Sequence, residues 1–417
     1  MFRKFEENYN DKRPSFSDIE YNLPDKRIEE LNEGWPGQFK KHIFDHIDEL
    51  KFAEMYSSDA GRPNFPVKVL VGLEIQKHIF DLSDKELIER FNFDLRCMKS
   101  LGLKEIGQLN LGSRTLYDFR ERIVKYSKET DNNPVVEIFD ELVDEFIQKV
   151  DLETEIQRMD STLVDANIKH LSRIELMRRV FKNFVSDLRE DQVNRIHKNT
   201  LKIIDDESFS EIYDHYTKEE VRENVMGKLF NIKQLFKNDE QVNELKSYEL
   251  LCRLVEDQTI ETSSELKEDE DISSDSLQNP NDEDATFRRK GKKSSQGYSL
   301  NISETADSDN PIQMITDVSL QPNVHSDIDF FNQRLPEIAG KTDLKKMLVD
   351  GAYHGPESKE TAASNNTELI ATNLTGRKPK HSTADFKIKS DEGIISCPVG
   401  NTPYRTKYIK NSDTYVA

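Results

Sequence analysis

The order of strands and helices in the second half of the sequence limits the possible folds more than any other feature. From Ile156 the segment IQRMDSTLVDANI alternates as a strand does, and helical patterning then continues to about Val255. Two further strands are predicted at 297–304 and 312–321, followed by a helix and by a short strand that ends at Asp350. A three-stranded antiparallel meander, with the fourth strand returning beside the first after a helical crossover, accommodates this order.

This strand order brings together two aspartates that are distant in the sequence. Asp160 lies on the first strand and Asp350 ends the fourth, and neighbouring strands are about 4.8 Å apart. Paired carboxylates can share Mg²⁺ or Mn²⁺, and two such ions promote in-line displacement at phosphorus. We therefore predict an α+β protein with a ribonuclease-H-like mixed sheet and a two-metal site at these aspartates. The alternative is that Asp350 only begins a turn with Gly351.

Two other polar residues near the strands have simpler interpretations. His325 and Asp327 follow the third strand in PNVHSD, where Ser326 and Asp327 are good residues for a helix N-cap. We expect a capping and loop role for them, and the alternative is that they lie near the metal site.

For possible contact with nucleic acid, the distribution of charge along the chain is more informative than the net charge of −20. Residues 256–284 contain twelve acidic residues and the single base Lys267, so an acidic disordered linker is predicted at 256–287. The basic run RRKGKK follows at 288–293. It is a candidate for phosphate contact near an active site, and the alternative is a solvated flank of a strand. Its candidate DNA-binding residues are Arg288, Arg289, Lys290, Lys292 and Lys293.

The first 150 residues are predicted to form a helical domain. The segment LSDKELIERF has the pattern of a helix start in which Ser83 and Glu86 cap each other. A later helix, GSRTLYDFRERIVKY, keeps basic residues off its apolar face, among them Arg114, Arg120 and Arg122. Short helices of this kind, the last one basic, suit a helix-turn-helix-like DNA-binding module. The alternative is a plain helical bundle with a solvated basic face.

Cysteine spacing and hydropathy exclude several classes of protein. The three cysteines, Cys97, Cys252 and Cys397, are far apart, which argues against a disulfide framework or a zinc cluster. The sequence has no run of eighteen apolar residues and no apolar segment near its polar N-terminus. We expect a soluble cytoplasmic protein.

Several blocks of the sequence, in order, resemble a bacterial insertion-sequence transposase of the DDE type. In the N-terminal part they are GRPNFPVKVLVGLEIQ, LSDKELIERF and LGSRTLYDFRERI. Further on they are MDSTLVDANI, DEDATFRRKGKKSSQGYSLNISET, LQPNVHSD, LVDGAYHGPES and ELIATNLTGRKP, followed by SCPVGN. The resemblance implies a DNA-end-binding domain at 1–150 and a ribonuclease-H-like catalytic domain at 151–417, interrupted by a helical insertion at 165–255.

The resemblance also implies roles and partners. Asp160 and Asp350 match the first two catalytic carboxylates of the family, which hold magnesium, and Tyr353 matches a tyrosine that is common there. The implied partners are double-stranded DNA, as terminal inverted repeats and as target, and further copies of the chain in a homo-oligomeric complex. The implied location is the bacterial nucleoid.

One part of the family pattern is missing. The third acidic residue of such enzymes is a glutamate on a helix after the fifth strand, and the last stretch, IISCPVGNTPYRTKYIKNSDTYVA, contains no glutamate. We therefore expect a C-terminally truncated transposase with little or no strand-transfer activity alone. Two alternatives stay open: a non-catalytic DNA-binding remnant, and a structural protein that self-associates through residues 170–255.

Overall fold

A computed structural model divides the chain into two compact units, Met1–Leu152 and Glu153–Ala417. The residues that the structure describes are 1–5, 18–57, 61, 63–260, 263–290, 293–371, 385–389, 393–404, 407–409 and 414–416. Helices dominate the first unit, and the second combines helices with a mixed sheet. The predicted α+β class is confirmed.

The N-terminal unit is helical, as predicted. Its helices are α1 (Asp25–Glu33), α2 (Trp35–His42), α3 (Val67–Ile79), α4 (Asp84–Phe93), α5 (Leu95–Ser100), α6 (Ser113–Thr130) and α7 (Pro134–Val150), with 3-10 segments at Phe44–His46 and Glu49–Met55. The predicted capping box begins α4, since the Ser83 and Glu86 side chains each accept a hydrogen bond from the other residue's backbone N–H. One apolar core joins these helices, and Phe52, Leu87 and Phe119 are buried in it.

The second unit contains a six-stranded sheet. Its strands are β1 (Ile156–Asp165), β2 (Thr286–Lys290), β3 (Lys293–Thr305), β4 (Ile315–Pro322), β5 (Lys346–Val349) and β6 (Glu368–Ala371). β3 is antiparallel to β1, β2 and β4, and β5 is parallel to β1 and β6. The predicted meander is therefore β1, β3 and β4. The predicted fourth strand is β5, which returns beside β1 after helix α15 (Asp327–Lys341).

Shorter elements complete the second unit. They are helix α16 (Pro356–Ser364), the 3-10 turn Gly351–Tyr353, and two strand pairs, β7 (Lys387–Lys389) with β8 (Gly393–Ser396) and β9 (Lys407–Ile409) with β10 (Thr414–Val416).

The two faces of the six-stranded sheet are covered unequally. From Ser295 to Thr305, odd positions of β3 are buried and even positions are half-exposed, because successive residues of a strand point to opposite faces. The buried face shares one apolar cluster with α15, which includes Met159, Met347, Val349, Phe330, Phe331 and Leu335. The other face carries half-exposed aliphatic side chains, namely Leu300, Ile302, Val318 and Leu348.

A helical insertion separates β1 from the rest of the sheet. Its helices are α8 (Arg173–Asp187), α9 (Glu190–Val193), α10 (Lys198–Leu201), α11 (Asp206–Tyr213), α12 (Lys218–Phe236), α13 (Glu240–Asn243) and α14 (Lys246–Gln258). They bury an apolar core of their own, in which the ring centroids of Phe184 and Phe236 are 5.6 Å apart.

The acidic segment 256–287 differs from the predicted disordered linker wherever the structure describes it. Leu277 is buried in the core of the insertion, and its backbone N–H donates to Asp257 Oδ2 at 2.8 Å. Arg173, at the start of α8, forms an ion pair with Asp269. The composition of the segment predicted disorder. Composition takes no account of the cations and the apolar surface that helices elsewhere in the chain supply to this segment.

Candidate functional site

The pairing of β1 with β5 determines where the two predicted carboxylates lie. The strands are parallel, with Gln157 opposite Met347 and Arg158 opposite Leu348. Continuing this register by two residues places Asp160 level with Asp350. Strands paired in this way are about 4.8 Å apart. The two aspartates are 190 positions apart in the sequence, and Asp350 directly follows the strand that pairs with the start of the strand carrying Asp160.

A backbone N–H orients each carboxylate. Asp160 Oδ1 accepts from the N–H of Ser161 at 2.8 Å, and Asp350 Oδ1 accepts from the N–H of Ala352 at 2.8 Å. Asp350 thus caps the 3-10 turn that follows β5, the turn-forming role that the sequence left open as an alternative. Within the described residues, Oδ2 of each aspartate has no hydrogen-bond partner. These contacts occupy Oδ1 of each aspartate and leave Oδ2 available for a ligand within the described residues.

Asp327 is a third acidic group beside this pair. Ser161 Oγ donates to Asp327 Oδ1 at 2.6 Å. The N-cap of α15 is Ser326, which forms a capping box with Asp329, so the predicted capping role falls on Ser326 and not on Asp327. The sequence left a position near the metal site only as an alternative for Asp327, because a local capping pattern carries no information about which strand a helix start faces.

Tyr353 lies among these three carboxylates. Its buried hydroxyl accepts a hydrogen bond from Asn301 Nδ2 at 2.8 Å. Burial raises the pKa of Tyr353, and the negative charges of Asp327, Asp160 and Asp350 raise it further. The phenol therefore stays protonated at neutral pH.

The carboxylate oxygens of Asp160 and Asp350 are ligands of the type that a hard divalent cation prefers, but the number of such ligands is small. Carboxylate oxygens are the ligands that Mg²⁺ prefers, and one or two of them with substrate phosphate make an ordinary site. Among the residues that the structure describes, no group of three or more His, Cys, Asp or Glu side chains is placed to hold a metal ion. Asp160 and Asp350 thus offer two carboxylates and no complete protein cage.

The three predicted DNA-contacting arginines of α6 have different environments. Arg114 is 93% exposed, with Asp118 at 3.7 Å. Arg122 is exposed, with its guanidinium 4.7 Å from the ring centroid of Tyr56. Arg120 is half-buried and makes bidentate contacts with two carboxylates, at 2.8 and 3.1 Å to Glu74 and 2.8 Å to each oxygen of Asp84. Two acids neutralise Arg120, so its environment is that of a structural ion pair.

The described residues of the basic run 288–293 lie at the end of β2 and the start of β3, which pair antiparallel. Arg288 donates to the backbone carbonyl of Asn323 at 3.1 Å and is half-buried. Arg289 and Lys293 are exposed on β2 and β3. Lys290 lies at the end of β2 with its side chain outside the described part, and Lys292 is outside the described residues.

Comparison with known proteins bears on the N-terminal unit. Residues 27–122 match the family model described as "Transposase domain (DUF772)". No curated protein and no solved structure matches the chain. In the part of the chain that the structure describes, none of the helices has the length and apolarity needed to cross a membrane. The match over residues 27–122 supports a transposase family for this chain.

Proposed function

We propose that the chain is a DDE-type transposase that binds the ends of its element and cleaves and joins DNA with divalent cations held at Asp160 and Asp350. The transposase-domain match supports the general role. The observation that supports the chemistry is the parallel pairing of β1 with β5, which ends at Arg158 and Leu348 and, continued by two residues, would set the two aspartates level. The order β4-β3-β1-β5-β6 supports a ribonuclease-H-like core.

The proposed site works through the orientation of its carboxylates. Backbone N–H groups of Ser161 and Ala352 fix one oxygen of each aspartate, which directs the other oxygen toward a shared ligand. Bound Mg²⁺ or Mn²⁺ supplies Lewis-acid activation of a phosphodiester and of the attacking water or 3′-hydroxyl. The protonated Tyr353 adds no negative charge beside the pair.

DNA contact is proposed for the exposed basic residues of both units. Arg114 and Arg122 on α6, and Arg289 and Lys293 on the β2–β3 hairpin, are exposed to solvent. Arg120 is left out of this set because Glu74 and Asp84 already neutralise its charge. Phosphate contacts release counterions, so binding of duplex DNA should weaken steeply as salt rises. Joining two element ends suggests more than one copy of the chain in the active complex.

The test is DNA cleavage by the full chain on the genomic segment that encodes it, together with the flanking DNA. We expect nicking in Mn²⁺ or Mg²⁺ that is lost in Asp160→Asn and Asp350→Asn. Asp165→Asn is the matched control, because Asp165 is an acid on the same strand whose Oδ1 accepts from Ser295 Oγ at 2.5 Å. Nicking that persists in both site variants would locate the chemistry elsewhere.

A second candidate is a DNA-binding protein without catalysis. It is favoured by the finding that no three metal-ligating side chains converge in the described residues. For the same reason we expect cleavage by this chain alone to be weak. Salt-dependent binding of the same DNA, with no cation-dependent nicking in the wild-type chain, supports this second candidate.

A further inference from the structure

The helical insertion has a basic half and an acidic half. Residues 166–204 contain nine lysines and arginines and four acids, a net charge of +5. Residues 205–258 contain seven lysines and arginines and fourteen acids, a net charge of −7. Solubility depends on the net charge of a protein and does not require that its positive charge be concentrated in one segment. The basic half therefore calls for a more specific explanation.

Within the described residues, ion pairs neutralise five of the nine bases in the basic half. The pairs are Lys169–Glu175, Arg173–Asp269, Arg178–Asp206, Arg189–Asp191 and Arg195–Asp239. The other four bases are exposed, and none of them has an ion-pair partner in the part of the chain that the structure describes. We call these four residues the insertion patch, and they are Arg179, Lys182, Lys198 and Lys202.

A hydrogen bond joins the two helices that carry the insertion patch. Two of its residues lie on α8, and the other two lie at the start of α10 and directly after its end. Arg178 precedes Arg179, and its Nε donates to the backbone carbonyl of Ile203 at 2.8 Å. Ile203 in turn directly follows Lys202. The end of α10 therefore lies against α8, and cations of both helices border the same part of the surface.

The stability of the insertion does not explain the insertion patch. Its residues are three positions apart on α8 and four positions apart at α10. Side chains at these spacings are neighbours on a helix, and like charges there destabilise it. The acids within four positions of a patch residue are engaged by other residues, and they are Glu175, Asp205 and Asp206. Positive charge that lowers stability and has no acid beside it indicates a negatively charged ligand.

We propose that the insertion patch contacts the phosphates of duplex DNA, which makes the insertion a DNA-binding surface in addition to the basic residues of α6, β2 and β3. The inference rests on the proposed function, since it requires that the chain bind DNA. Duplex DNA carries one phosphate about every 1.7 Å along its axis, and a cation that contacts a phosphate releases condensed counterions. A cation without a carboxylate partner makes such a contact without first breaking an ion pair.

The competing partner for the insertion patch is the acidic half of the insertion in a second copy of the chain. The transposase-domain match favours DNA, because it supports a role in which the chain acts on DNA. Phosphate contacts carry no sequence information. Loss of the insertion patch should therefore weaken binding to the element ends and to unrelated duplex DNA alike.

The test is binding of duplex DNA by the full chain without divalent cations, measured by fluorescence anisotropy over a range of salt concentrations. The patch variant carries Arg179→Gln, Lys182→Gln, Lys198→Gln and Lys202→Gln. The matched control carries Lys169→Gln, Arg189→Gln, Lys233→Gln and Lys246→Gln, four bases of the same insertion that each have a carboxylate partner. Both variants lose four positive charges, so the comparison separates contact with DNA from net charge.

The measured quantity is the slope of the logarithm of the binding constant against the logarithm of the salt concentration. We expect this slope to become shallower by about 1 for each phosphate contact that is lost, and thus by about 3–4 in the patch variant. The control should change it by less than about 1. Equal changes in the two variants overturn the inference. A wild-type chain that does not bind DNA overturns the proposed function and the inference with it, so the two failures are distinguishable.

Two double variants keep the test decisive if the patch variant fails to fold. One carries Arg179→Gln and Lys182→Gln, and the other carries Lys198→Gln and Lys202→Gln. We expect each to make the slope shallower by about 2, and an unchanged slope in both overturns the inference.

Sedimentation velocity without DNA tests the competing partner. We expect the wild type and the patch variant to sediment alike. An oligomer that only the patch variant loses, with DNA binding unchanged, overturns the inference and assigns the insertion patch to contact with a second copy.

Discussion

The helical insertion and the sheet belong to the same compact unit, but their interiors are built differently. The insertion buries aromatic and aliphatic side chains against one another. The sheet buries a row of polar residues on β3, Ser299, Asn301 and Ser303, and each has a side-chain oxygen without a partner in the described part of the chain. Apolar burial stabilises a fold and unpaired polar burial destabilises it. The comparison indicates that the interior of the insertion supplies stability without this loss, while the sheet gives up part of its stability at these three positions of β3.

The largest effect is expected in the core of the insertion. Phe184 is fully buried between Phe236 and Tyr248, so Phe184→Ala should lower the free energy of unfolding by about 3–5 kcal/mol. Urea unfolding followed by circular dichroism measures this loss. Phe93→Ala is the control, because Phe93 is 81% exposed and its removal should change little. A loss below about 1 kcal/mol for Phe184→Ala would contradict the assignment of stability to the insertion.

The next effect tests the ion pair beneath the sheet. Arg334 contacts both oxygens of Asp317, at 2.5 and 3.0 Å, and Asp317 is only 2% exposed. Arg334→Met should cost about 3 kcal/mol, because it leaves a buried carboxylate without its cation. Lys345→Met, which breaks an exposed pair with Glu155, should cost at most about 1 kcal/mol. Urea unfolding measures the loss of stability in both variants. An equal loss in Arg334→Met and Lys345→Met would contradict the expectation that the buried ion pair matters more than the exposed one.

One substitution in the sheet should raise the free energy of unfolding, whereas the substitutions above lower it. Ser303 Oγ is buried and has no partner among the residues that the structure describes, so Ser303→Ala should raise the free energy of unfolding by about 1 kcal/mol. Ser295→Ala on the same strand should instead lower it by about 1 kcal/mol, since its hydroxyl donates to Asp165. Thermal unfolding of both variants gives the signs, and a loss of stability in Ser303→Ala would show that its hydroxyl is satisfied.

The smallest effect concerns charge at a helix start in the insertion. Hydrogen bonds from the Ser172 backbone and hydroxyl, aided by Lys169, lower the pKa of Glu175 from 4.5 to about 2. A carboxyl with a depressed folded-state pKa stabilises the protein above pH 4.5, and this contribution disappears as the pH falls toward 2. Glu175→Gln should therefore cost less than about 1 kcal/mol at pH 7 and almost nothing near pH 2. Urea midpoints at the two pH values measure the difference, and a cost that does not change with pH would exclude the charge as its cause.

Periodicity and strand order predicted the frame of the fold. The alternation around Asp160, the short apolar run before Asp350 and the helix between them were enough to predict a meander with a returning parallel strand. These signals are local. The strand order follows from them because consecutive elements usually lie side by side and are joined by simple connections. The position of Asp160 on β1 and of Asp350 at the end of the adjacent strand β5 follows from that topology.

Signals that depend on distant partners were not available from the sequence. The face of α6 showed that Arg120 points away from the apolar stripe, but not that Glu74 and Asp84 meet it there. The acidic segment suggested a disordered linker, yet Leu277 packs into a core formed by the helices of the insertion. The bond between Ser161 and Asp327 joins residues 166 positions apart. Each of these depends on tertiary contacts that neither composition nor spacing encodes.

The position of the insertion between β1 and β5 has a consequence for folding. During synthesis the segment that carries Asp160 emerges long before the one that carries Asp350. Closing so long a loop is entropically unfavourable unless the intervening chain is already compact. The insertion has its own apolar core and can form first, which brings the ends of β1 and β3 together. The two aspartates therefore come together only after β5 has been made, so a partly made chain that ends before Asp350 lacks the pair.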